Sequence, residues 1–154
     1  MNKKTIPLDY ANNLIYELEK AFWDERGKGA RFRLTNIGSG YFKDKCLPLL
    51  KSSDLDHILH TIEDTLHGEG IVGKVSYDRE ERLLRVRVEG CMHRLVEDKM
   101  TGAGIEPFTC IPANMIALAI EMKLDRPVEL AEIKLEDGAC QLSLVVFEQR
   151  PTLA

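Results

Sequence analysis

Leu83-Leu84-Arg85-Val86-Arg87-Val88-Glu89 alternates apolar and charged residues, from Leu84 onward without a break. That period of two marks a β-strand with one buried face and one wet face. Just upstream, Ile71-Val72-Gly73-Lys74-Val75-Ser76-Tyr77 reads as its antiparallel partner, and the charged run Asp78-Arg79-Glu80-Glu81-Arg82 as the turn between them. Further on, Val128 to Glu136 and Cys140 to Phe147 form a second pair, joined by Asp137-Gly138, a dipeptide suited to a tight hairpin turn. Two hairpins with helices before and between them predict an α+β fold, an antiparallel sheet packed with helices.

The helices announce themselves by spacing. Leu8 to Glu25 carries Leu14, Leu18, Ala21 and Phe22 at helical intervals, widened by Ile15, and Gly27 and Gly29 stop it. This stripe predicts a core-packing helix. Ser52-Ser53-Asp54 caps a helix from Leu55 to His67, with Leu55, Ile58, Leu59, Ile62 and Leu66 as its buried stripe. His57, His60 and His67 on this helix are read as surface residues. A short helix is expected over His93 to Lys99. The segment from Ile111-Pro112 to Lys123 is apolar almost all round, which predicts a buried helix with proline in its first turn. Its small residues and methionines leave two readings open: close packing, or the wall of a ligand cavity at Met115, Ile116, Ala119 and Met122. Between Gly29 and Leu50, Phe32, Leu34 and Ile37 suit a short strand or extended loop, Gly38-Ser39-Gly40 suits a turn or hinge, and Cys46 is read as structural or incidental.

A chain of 154 residues with 44% hydrophobic and 30% charged residues suits one domain with a real core, here residues 1–148 with a loose tail at 149–154. The helical part covers about 8–67 and the hairpin-rich part about 70–147. A net charge of −4 and a pI near 5.6 give no reason to expect nucleic acid as a partner. No apolar run reaches membrane-spanning length. No signal-peptide core follows the basic start Met1-Asn2-Lys3-Lys4, so the expected compartment is cytoplasmic. Four cysteines in that setting argue for burial, reactivity or metal binding rather than a disulfide framework.

Three of the four stand at junctions. Cys91 and His93 follow the second strand, Cys110 precedes the buried helix, and Cys140 opens the last strand, with Glu132 in the strand before it. Thiolate, imidazole and carboxylate together suit zinc, with ferrous iron as the second choice. The expected ligands are Cys91, His93, Cys110, Glu132 and Cys140. A helix N-terminus favours a thiolate at Cys110. An enzymatic reading stays open: an unsaturated metal activates water, or Cys110 is a nucleophile with His93 as its base. No nucleotide fingerprint or Ser-His-Asp order supports it, so binding is preferred to catalysis.

The stretch from Gly70 to Phe147, with its cysteine-led buried helix, Arg126-Pro127-Val128, Glu132 and Gly138-Ala139-Cys140, resembles the vinyl-4-reductase domain family, relatives of the TRAPP transport subunits. The resemblance implies a TRAPP-like ligand-sensor architecture, often a homodimer, that binds hydrophobic small molecules. It also implies a zinc held by three cysteines and a glutamate. Cys110, Glu132 and Cys140 fall on three of those positions. Leu135 falls on the remaining cysteine, and Cys91 or His93 is the substitute. A TRAPP-like protein-interaction module is the alternative outcome.

Overall fold

The computed structural model describes residues 5–30 and 35–148. Phe32 and Leu34 lie outside the described residues, as do the first four residues and 149–154. The elements run α1 (Leu8–Arg26), α2 (Ser39–Lys45), α3 (Leu55–Gly68), β1 (Lys74–Glu80), β2 (Leu83–Glu89), α4 (Arg94–Gly102), α5 (Ile111–Leu124), β3 (Val128–Glu136) and β4 (Ala139–Val146). The fold is α+β. The two hairpins lie side by side in one antiparallel sheet of order β1-β2-β4-β3, so β2 and β4 are central.

The alternation in β2 does what period two requires. Leu84, Val86 and Val88 are buried, while Arg85 is exposed and Arg87 half-buried. Register pairs them with Leu144, Leu142 and Cys140 of β4, so one sheet face is continuously apolar. The buried stripe of α3 and the buried side of α5, with Ala113, Met115, Ile116, Ala119 and Ile120, join the same core. Asp54 caps α3 by accepting the His57 backbone N–H at 3.1 Å. In the 39–45 region the expected turn is instead the start of α2: Gly38, at φ +99°, precedes Ser39, a backbone setting that glycine adopts without strain.

The α1 stripe is a correction. Leu14 is 43% and Leu18 69% exposed, and Ala21 is exposed too. The buried residue of α1 is polar Asn12, and the helix packs chiefly on α4. Apolar spacing establishes that a helix has a distinct face; it does not say whether another element covers that face. A core leucine on a helix would cost about 2–5 kcal/mol on truncation. Leu18→Ser is instead expected to shift the urea-unfolding free energy by less than about 0.5 kcal/mol.

Among the described residues no helix is long and apolar enough to cross a membrane.

Candidate thiol site

The chain leaves β2 through Gly90, whose φ of +67° turns it sharply beside Gly73. The backbone ties the two segments together: Gly73 N–H donates to Glu89 O at 2.8 Å, and Met92 N–H to Ile71 O at 2.8 Å. Cys91 therefore sits at the end of the central strand. Cys140 lies across from Val88, one residue from that same end. Cys110 precedes Ile111, the first residue of α5, in an extended conformation. Three thiols from distant points in the chain thus reach one region.

Their electrostatics carry the same message. Although Cys110 retains some exposed surface, burial pushes its thiol well above the ordinary value, followed by the charge of Glu97 and by Cys91 and Cys140. Burial, then Glu97, raises Cys140 to about 11. Burial also raises Cys91, with Glu97 adding to it, while the His93 N–H donating to its sulfur at 3.4 Å works the other way. Cys110 is consequently a thiol at neutral pH, not the thiolate expected from its helix N-terminus. Desolvation outweighs the helix dipole here. A protonated thiol is a weak nucleophile until a base takes its proton, and no hydrogen bond joins Cys110 to His93 among the described residues.

Glu97 is the group the sequence did not reveal. It sits on α4 and is 7% exposed. Burial, with Glu19 of α1 second, raises its carboxyl to about 8. Glu19 is itself raised to about 7 by burial. Arg94 works against these shifts: it lowers Glu97, Cys91 and Cys140, and its Nη1 is buried without a partner among the described residues. Its Nε donates to Asp98 at 3.0 Å.

His93 is oriented from α1. Asn12 Nδ2 donates to Met92 O at 2.7 Å, which leaves Asn12 Oδ1 to accept from His93 Nδ1 at 3.1 Å. The imidazole is thereby fixed as the Nδ1–H tautomer with its lone pair on Nε2. Burial lowers its pKa, so it stays neutral.

Glu132 is not in this group. The two-residue turn at Asp137-Gly138 pairs Glu136 with Ala139 and Leu135 with Cys140, while Glu132 pairs with Ser143. Side chains alternate along a strand, so Glu132, three residues before Leu135, lies on the opposite sheet face from Cys140 and is exposed. It lines instead an open groove of about 840 Å³ along β3, walled by Trp23 and Phe108, with Ile133 and Leu135. The two rings are 5.3 Å apart and tilted by 32°.

The expected pocket on α5 is closed. Met115, Ile116 and Ala119 are buried in the core, Ile116 borders a gap of only about 10 Å³, and Met122 is 49% exposed on another side of the helix. Close packing takes the space that a ligand would need.

The fold and this cluster define an α+β domain with buried thiols, a carboxyl and an imidazole gathered at one end of its sheet. Among the described residues, no group of three or more His, Cys, Asp or Glu side chains is placed to hold a metal ion. The donor chemistry nonetheless fits a thiophilic cation: three sulfurs with one nitrogen or oxygen. No protein-family model matches the chain, and no curated protein does either.

Proposed function

We propose that this chain is a zinc-dependent binding domain for a hydrophobic small molecule, with Cys91, Cys110 and Cys140 as the thiol ligands. Iron is the second choice of metal. Glu97 or His93 Nε2 completes the set in place of Glu132. The observation that carries this reading is that three thiols and a buried carboxyl share one region. Four acidic groups in one enclosure disfavour each other's charged forms, and a divalent cation reverses that penalty. The metal would act by tying β2, α5 and β4 together, and ligation requires the side chains to rotate inward. The groove walled by Trp23 and Phe108 has a volume suited to a small organic molecule and is the place proposed for it.

The test is elemental analysis of protein prepared without chelator, with thermal unfolding at increasing zinc. The expected result is zinc in about equimolar amount and a stabilisation of roughly 2–3 kcal/mol at a hundredfold excess over Kd. Both are lost in Cys110→Ser and Cys140→Ser, while Glu132→Gln keeps them. Protein that carries no metal and ignores added zinc and iron would sink the proposal.

A further inference from the structure

At the other end of β2, away from the thiols, a second recess of about 370 Å³ is lined by Arg79, Arg82 and Arg126. Its apolar lining is Leu55, Leu84 and Val146, all buried. Arg126 is held in place by the backbone: Nε donates to Phe147 O at 2.9 Å and Nη2 to Val146 O at 3.5 Å. Neither Arg79 nor Arg126 has a carboxylate within ion-pair distance among the described residues. Arg82 reaches Glu148 at 3.7 Å, but both side chains are more than half exposed, so that pair contributes little.

Two acids flank Leu55 outside the lining and keep their charge. Asp54 caps α3 through His57 N–H, and Asp56 accepts from Tyr77 Oη at 2.8 Å. Glu81 is the one carboxylate in the lining among the described residues. Leu55, the first residue of the 14-residue α3, also lines the recess, but the capping Asp54 carboxylate offsets the dipole at that helix end, so the guanidiniums supply the positive field. With Glu81 in the lining and Glu148 on Arg82, the three guanidiniums leave a surplus of one positive charge, carried by Arg79 and Arg126, which have no carboxylate partner among the described residues.

We propose that this recess binds a small doubly charged oxyanion, a phosphomonoester or a dicarboxylate. Guanidinium offers paired N–H donors that match such oxygens. The apolar lining and the volume leave space for a short organic group beside the anion. This site does not depend on the metal reading, since no thiol contributes to it.

The test is calorimetry on the full chain at low salt with inorganic phosphate, glycerol phosphate and succinate. At least one is expected to bind, more weakly as salt rises. Tighter binding of the phosphates assigns a phosphoryl ligand, and tighter binding of succinate a dicarboxylate. Arg79→Ala and Arg126→Lys are each expected to weaken it about tenfold or more. Arg126→Lys keeps the charge and loses the fork. Arg79 is exposed, so its variant carries the test if Arg126→Lys perturbs folding. No binding by about 10 mM of any of the three, or binding that Arg79→Ala leaves intact, overturns the proposal.

Discussion

Glu97→Gln is expected to stabilise the metal-free protein at pH 8–9, by up to about 5 kcal/mol. The carboxyl titrates near 4.5 when free and near 8 in the fold, with burial the main cause and Glu19 second. Below pH 4.5 both folded and unfolded chains hold the proton, and the residue costs nothing. Between 4.5 and 8 the unfolded chain ionises while the folded one does not, so stability falls as pH rises. Above 8 the full penalty is in place. Glutamine keeps the shape and cannot ionise, so the variant's unfolding free energy should stay flatter across that window. Chemical denaturation at pH 5, 7 and 9 in the presence of chelator reads the difference directly. Parallel curves for the two proteins would mean that the Glu97 environment is wetter than its 7% exposure indicates.

Gly90→Ala is the second large effect, expected at about 3–5 kcal/mol of lost stability. Part is conformational, because φ of +67° strains any residue with a Cβ. The rest is steric. A Cβ there would stand 3.2 Å from both Cα and N of Gly73, backbone atoms that cannot move without disturbing the Gly73 to Glu89 hydrogen bond. Gly104→Ala separates the two contributions. Its φ is +77°, yet nothing lies within 4 Å of the added carbon. It should cost only about 1–2 kcal/mol. Urea unfolding of both variants decides the matter; equal losses would remove the steric argument. Gly90 immediately precedes Cys91, so Gly90→Ala should also speed reaction of that thiol with a colorimetric disulfide reagent.

Much of this architecture was readable from the chain. The hairpins, α3 and α5 follow from alternation, helical spacing, an Asp-Gly turn and a proline at a helix start. These signals are local and strong. Even the displacement of Glu132 was available: a two-residue turn at Asp137-Gly138 pairs Leu135 with Cys140, and three residues of strand reverse the side-chain direction. What could not be read depends on contacts between distant segments. Glu97 resembles any charged residue on a short amphipathic helix until α1 and the thiols enclose it. Asn12 gains meaning only through Met92 and His93, 80 and 81 residues away. The outward turn of Leu14 and Leu18 depends on which element α1 finds, and the hydrophobic pattern is silent on that.

The Asn12 clasp has a consequence for how the molecule opens. The sheet with α3 and α5 is a self-contained apolar body, whereas α1 rests on α4 and is fastened by the Asn12 amide gripping a carbonyl and a ring, by Lys99 donating to Asn13 and by Trp23 against Phe108. Such an appendage can peel away while the body stays whole, so its amides should exchange with deuterium well ahead of those in β2 and β4. Each excursion would free the ring of His93 and let water reach the carboxyl beside it.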